Sequence, residues 1–242
     1  MKFLNIDSPF MQVLNKIADL LILNLVTFLF CIPIFTIGAS MTAMHYVLLK
    51  MVRGKDSYII KDYWKSFKQN FKQATAIWMV LFLIGMTLLV DFKLFASEQS
   101  PFPKPVIWMV FAAAIIWLCV FLYVFPVLAR FVNTVKGTFK NSLFMSILGL
   151  PRTVGMVLAT ALPTFIFIFA PETAWRFLPL FLCFGITVPG FICAWLYSPL
   201  FLRFENQTEE KKEEVELEES EYEEAAAILH DEDEDSEETK DK

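Results

Sequence analysis

Acidic side chains are nearly missing from the first 204 residues: seven Asp and Glu lie there, and the other 19 of 26 lie in residues 205–242. Histidine is scarcer still, with His45 and His230 only. Two histidines so far apart exclude a zinc site of familiar ligand spacing. There is no G-x-S-x-G, no P-loop and no H-E-x-x-H, so the common nucleophile-elbow, nucleotide and zinc-protease signatures are out. No pair of carboxylates sits within an apolar run, which removes a glycosidase or aspartic-protease reading. Cys31, Cys119, Cys183 and Cys193 all fall inside apolar runs, where cysteine acts as a small packing residue rather than a disulfide partner. No cofactor and no nucleic-acid partner is implied.

What is abundant is apolar surface. The 242 residues are 56 % hydrophobic and 16 % aromatic, with 26 phenylalanines and only 19 % charged residues. A soluble domain of this size carries nearer a quarter charged. Crossing ~30 Å of hydrocarbon takes roughly 20 apolar residues as a helix. Five such runs stand out, at about 18–37, 75–96, 106–128, 153–170 and 178–201. Pro163 interrupts the fourth and Pro171 ends it. No small-residue cleavage pattern follows the first run, and Asp7-Ser8-Pro9 reads as a capped helix start, so a cleaved signal peptide is not expected.

Basic residues orient the runs. Residues 38–73 carry Lys50, Arg53, Lys55, Lys61, Lys65, Lys68 and Lys72; residues 129–152 carry Arg130, Lys136, Lys140 and Arg152; Arg203 follows the last run. The opposite gaps hold only Lys2, Lys16, Lys93, Lys104 and Arg176. The positive-inside rule puts the first set in the cytoplasm, the amino terminus outside and the carboxyl terminus inside. The expected architecture is an all-α, polytopic transmembrane bundle over 1–204 in the plasma membrane, followed by an acidic, largely disordered cytoplasmic tail over 205–242. Thr36 to Leu49 is rich in small residues and short; it reads as a helix entering the cytoplasm or half-embedded, and if it crossed there would be six crossings.

Two basic gaps have helical period. Ile60, Tyr63, Trp64, Phe67 and Phe71 form one face of 59–72, with Lys61, Lys65, Lys68 and Lys72 on the other. Phe131, Val135, Phe139, Leu143 and Ile147 recur at intervals of four, with Lys136 and Lys140 off that stripe. Each segment reads as an interfacial helix attracting anionic lipid of the cytoplasmic leaflet, or as a docking face for another membrane protein. The candidate contact residues are Lys61, Trp64, Lys65, Lys68, Lys72, Arg130, Lys136 and Lys140. Within the first run, Asp19 and Asn24 are the candidate intramembrane polar site, since buried polar groups are costly and often functional. Lys16, three residues before Asp19, is placed to pair with it. A P-x-x-x-R-F element recurs at Pro126–Phe131 and Pro199–Phe204, a weak internal repeat of a kind common in transporters.

Pro33-Ile34-Phe35-Thr36-Ile37-Gly38-Ala39, Lys50 to Gly54 and Phe67-Lys68-Gln69-Asn70-Phe71-Lys72-Gln73-Ala74 resemble the YesL family of bacterial membrane proteins of unknown function. Phe125–Phe131, Thr134–Phe139 and Leu150-Pro151-Arg152-Thr153 continue the resemblance, which covers about residues 5–204. It implies an integral protein whose genes lie near carbohydrate-uptake genes, hence a non-enzymatic accessory whose partner is a carbohydrate ABC transporter. It carries no activity or site residue, and the acidic tail departs from the family. The rival expectation is a small stand-alone transporter or channel, motivated by the repeat and by Asp19 and Asn24.

Overall fold

The computed structural model describes residues 9–55, 58–96, 103, 105–169 and 171–209. The chain divides into two compact units, Met1–Ser198 and Pro199–Lys242. Every regular element among the described residues is helical: α1 (Pro9–Cys31), a 3-10 turn (Ile34–Thr36), α2 (Ile37–Val52), α3 (Ile59–Ala96), α4 (Pro105–Arg130), α5 (Val135–Leu148), α6 (Leu150–Phe169), α7 (Pro171–Phe184) and α8 (Thr187–Glu209). Four of them are long and apolar enough to cross a membrane (α1, the turn with α2, α3 and α4). Two further pairs qualify only as bent spans, α5 with α6 at 101° and α7 with α8 at 51°, so the described residues hold four to six candidate spans.

The first apolar run is built differently from the expected single span at 18–37. α1 starts at Pro9, where a proline loses no helical hydrogen bond, and stops at Cys31. Pro33 donates no N–H and disfavours a helical Ile32. The Thr36 hydroxyl then clamps the reversal, lying 2.6 Å from the Phe30 carbonyl and 2.7 Å from that of Pro33. α2 leaves in a new direction and packs antiparallel to the first half of α3. Gly38 sits at Ala74 and Trp78, and at the far end Lys50 Nζ is 2.8 Å from Asp62 Oδ2.

The expected interfacial helix at 59–72 is not a separate element. No glycine or proline occurs between Ile59 and Ile84, so nothing breaks the helix before the apolar run, and α3 continues for 38 residues. Its aromatic face is also only partly outward. Tyr63 and Phe67 are buried under α1 and α2, with the Phe30 ring 5.8 and 5.0 Å from theirs, while Ile60 and Trp64 remain exposed. The Tyr63 hydroxyl is 2.7 Å from Ser40 Oγ, which donates to the Thr27 carbonyl at 3.0 Å, so α1, α2 and α3 share one hydrogen-bonded layer.

In α5 the four-residue stripe does not form one straight face. A spacing of four advances 400° where a face needs 360°, so the stripe drifts about 40° per step and winds around the helix. The buried side is Thr138, Ser142, Met145 and Ser146, whereas Leu143 and Ile147 are exposed. Buried hydroxyls return to their own helix, Ser142 Oγ to the Thr138 carbonyl at 2.7 Å and Ser146 Oγ to that of Leu143 at 2.8 Å, and their small size suits close helix packing. Phe131 precedes α5 altogether, because Thr134 caps it by accepting from the Gly137 N–H at 3.2 Å.

Pro163, expected to interrupt the fourth run, does not break its helix, whereas Pro171 marks a helix boundary as expected. α4 runs through Pro126 to Arg130, and α6 runs through Pro163 to Phe169. α8 extends past residue 204, the expected end of the membrane domain. The expected disordered tail falls on 210–242, outside the described residues.

Candidate functional site

Asn24 is the polar residue of α1 with the fullest set of partners. It is wholly buried, and it faces the break between α7 and α8. That break follows from sequence. Pro189 cannot donate back to Gly185, and its ring clashes with the preceding turn, so one helix ends at Phe184 and another starts at Thr187. The ends so created leave backbone groups without helical partners. Asn24 Oδ1 accepts from the Ile186 N–H at 3.1 Å and the Thr187 N–H at 3.0 Å, while Nδ2 donates to the Leu182 carbonyl at 2.7 Å. The Thr187 hydroxyl reaches the Leu20 carbonyl at 3.1 Å. A side chain from α1 thus caps a broken helix more than 150 residues away.

Asp19 does not join this arrangement. It is half-buried and, among the described residues, forms no hydrogen bond or ion pair; the Lys16–Asp19 pair does not form. Among the described residues Asp19 and Asn24 share no hydrogen bond.

Close to the same break lies a cavity of about 200 Å³ between α2, α4, α6 and the α7–α8 junction. His45 lines it together with Met44, Phe125, Thr160, Gly185 and Cys193. His45 Nδ1 is 3.2 Å from the Tyr197 hydroxyl, so one ring nitrogen is engaged. Sequence reasoning dismissed His45, since its neighbours are small apolar residues of α2 and its partner lies 152 positions away.

The basic face is carried mainly by α3. Lys61, Trp64, Lys65, Lys68 and Lys72 are all exposed along its first half, and the Lys68 ammonium lies 4.9 Å from the centre of the Trp64 ring. Trp64 in turn stacks on Phe67 at 5.5 Å. Lys136 and Lys140 are exposed on α5. Gln73 Nε2 donates to the Asn133 carbonyl at 2.7 Å, which ties α3 to the link between α4 and α5. Arg130 does not lie with these lysines alone: it lines a cavity with Tyr46, Leu49, Lys50, Arg53 and Lys55 at the ends of α2 and α4. The sequence offered a signal for that convergence in Gly54, whose φ of 65° turns the chain back, but not the long-range pairing with Arg130.

Among the described residues no group of three or more His, Cys, Asp and Glu is placed to hold a metal ion, and the four cysteines are free thiols.

Part of the sequence is similar to proteins of unknown function. Residues 20–92 match the family described as "Protein of unknown function, DUF624". The chain is also 26 % identical over 140 residues to "Uncharacterized protein YteU" of Bacillus subtilis (strain 168), covering 57 % of this chain and 62 % of that protein. It therefore spans less than two thirds of that relative's length. No solved structure matches. The likeness is to a family of unknown function over the first spans, a coarser finding than the YesL-like resemblance over 5–204.

Proposed function

We propose that the chain is a multi-pass protein of the bacterial plasma membrane that serves, without catalysis, as an accessory to another membrane component, a carbohydrate ABC transporter being the partner class. The observation that carries this reading is α3. Its second half is a bilayer-length apolar helix, and its first half holds Lys61, Trp64, Lys65, Lys68 and Lys72 exposed on a helix whose other face is locked by Tyr63 and Phe67. A rigid helix presenting aligned ammonium groups and an indole suits an acidic protein face or anionic headgroups.

The same pairing supports five spans with the amino terminus outside. α2 lies beside the half of α3 that bears the four lysines, from Gly38 at Ala74 to Lys50 at Asp62. Placing α2 in hydrocarbon would sink those exposed lysines as well, at about 2.5–3.5 kcal/mol each. α2 is thus a helix of the cytoplasmic boundary, and α1, the second half of α3, α4, α6 and the α7–α8 pair cross.

Crosslinking from native membranes tests the accessory reading. The expected result is a recurrent transporter subunit recovered with the full chain, and at least a fivefold loss for the quadruple variant K61Q/K65Q/K68Q/K72Q, consistent with about 1 kcal/mol per lysine at a charged surface. Repeated recovery of the chain alone would sink it.

A second reading, a small transporter, is favoured by one feature: the cavity at His45 beside a broken helix pair, the arrangement seen at transporter sites. Proteoliposomes should then show sugar or ion flux that falls on His45→Phe, a substitution that keeps an aromatic ring against Tyr197. Flux identical in wild type and variant would count against the cavity as a route.

A further inference from the structure

We propose that the cavity between the carboxyl-terminal ends of α2 and α4 binds a phosphate group. It encloses about 170 Å³, and four of its six lining residues are cationic: Lys50, Arg53, Lys55 and Arg130, with Tyr46 and Leu49 completing the wall. Lysine and arginine carry hydrogen-bond donors and no acceptors. A ligand for such a wall is acceptor-rich and anionic, and Arg forks combined with ammonium groups are the side-chain set that phosphate oxygens fit. A neutral sugar or a cation does not match it.

Basic residues at helix ends have a simpler explanation, namely that they satisfy the last carbonyls and the helix dipole. At α2 the backbone has already met the first need. The Arg53 N–H donates to the Leu49 carbonyl at 3.1 Å, the Gly54 N–H to that of Met51 at 3.3 Å and the Lys55 N–H to that of Lys50 at 3.0 Å. The last two bonds form a Schellman turn, with Gly54 left-handed at φ 65°. That turn folds Lys55 back beside Lys50 instead of letting the chain run on.

Side-chain contacts hold the wall in place. Lys50 is fixed between Asp62 Oδ2 at 2.8 Å and the Tyr46 ring, 5.6 Å from its centre. Arg53 Nε is 3.4 Å from Ser198 Oγ, which aims its guanidinium. Arg130 arrives from a different helix, as the last residue of α4. Lys50 already faces the Asp62 carboxylate; the four cations come from two helix ends and a dedicated turn, and a bound anion is drawn to the charge they share.

Two sources supply such a group: the headgroup of an anionic phospholipid, or a soluble phosphate ester. The Lys50–Asp62 pair sets the cavity beside Lys61 and Lys65 of α3, in the layer where headgroups lie if the five-span arrangement holds. The phosphate chemistry itself stands on the cavity and needs neither that arrangement nor a transporter partner.

The test uses the full chain, purified in a neutral detergent and followed by thermal melting and native mass spectrometry. One arm adds phosphatidylglycerol, with phosphatidylcholine as the zwitterionic control, and the other adds inorganic phosphate. Saturable stabilisation by phosphatidylglycerol alone names the lipid, and saturable stabilisation by inorganic phosphate names a soluble ester. In either arm Lys55→Gln with Arg130→Gln should weaken binding about tenfold, while Lys93→Gln with Arg176→Gln, an equal loss of charge on exposed residues of α3 and α7 that do not line the cavity, should not. Lys55→Gln alone serves should the double variant fold poorly. No response in either arm, or equal weakening by both pairs of substitutions, overturns the proposal. So does a carbodiimide crosslink in the full chain from Lys55 to the glutamates of 213–219, which would give the cavity to the protein's own acidic tail.

Discussion

Asn24→Leu should lower the melting temperature of the purified protein by roughly 5–10 °C, the shift expected for a loss of about 2–3 kcal/mol in a chain of this size. Leucine shares the γ-branched outline of asparagine, though it is larger, and it suits an apolar helix, so composition alone would rate the change harmless or stabilising. The expectation runs the other way because Asn24 has no water to compete with. Its side chain meets the Ile186 and Thr187 N–H groups and the Leu182 carbonyl at 2.7–3.1 Å, with the residue wholly buried. Each group orphaned in an apolar interior costs about 1–3 kcal/mol. Single interhelical hydrogen bonds in membrane bundles measure nearer 0.6 kcal/mol, because the unfolded-in-membrane state also finds partners. Four bonds on one residue, two of them from the N–H groups of a helix start and one from the Thr187 hydroxyl at 3.3 Å, place the sum between those limits.

Asn24→Asp separates capping from mere polarity. The carboxylate keeps an acceptor for the two N–H groups and loses the donor to Leu182, so it should fall between wild type and leucine at a pH where it is ionised. Flux or partner capture lost by Asn24→Leu but retained by Asn24→Asp would trace the defect to the α7–α8 break. If Asn24→Leu melted as wild type does, the cap would carry no energetic weight.

How much of this was legible beforehand divides along physical lines. Apolar length is a local property, so α4 and the second half of α3 were readable at 106–128 and 75–96 almost as they stand. Charge bias was readable too, and Lys61, Lys65, Lys68 and Lys72 do share the exposed side of one helix. Helix ends were less so. Pro33, Pro126, Pro163 and Pro189 look alike in sequence, yet only Pro33 and Pro189 coincide with breaks, because a partner elsewhere (Thr36 for one, Asn24 for the other) takes up the freed backbone groups. Such partners are invisible to any window of sequence when they lie 150 positions off. The packed side of α5 was hidden for a different reason: Thr138, Ser142 and Ser146 carry no apolar signal, and their small size is what suits close packing. The convergence of Lys50, Arg53, Lys55 and Arg130 needed the fold itself, since nothing local relates α2 to α4.

Gly38→Val is expected to be the most damaging single change in α2. A Cβ at this position would stand against the Ala74 carbonyl oxygen and 2.6 Å from Trp78 Cβ. Both obstacles belong to every possible side chain at those sites, one being backbone and the other a first side-chain carbon, so shortening Trp78 offers no relief. The helices must separate, and overpacking of this kind costs about 1–3 kcal/mol before any bonds are lost. Separation also threatens the Trp78 indole N–H bond to the Ile34 carbonyl at 2.7 Å, and it shifts Ser40 away from Tyr63. Valine adds a β-branched residue in the first turn of α2, a minor further term. Gly155→Ala is the matched control: its Cβ would meet only Leu196 Cδ1 at 3.1 Å, the far end of a flexible side chain that can turn aside. Melting curves of the two variants in one detergent should therefore differ by several degrees, with Gly155→Ala near wild type. Gly38→Val melting alongside it would mean that α2 does not approach α3 so closely, and the depth assigned to α2 beside the lysines of α3 would fall with it.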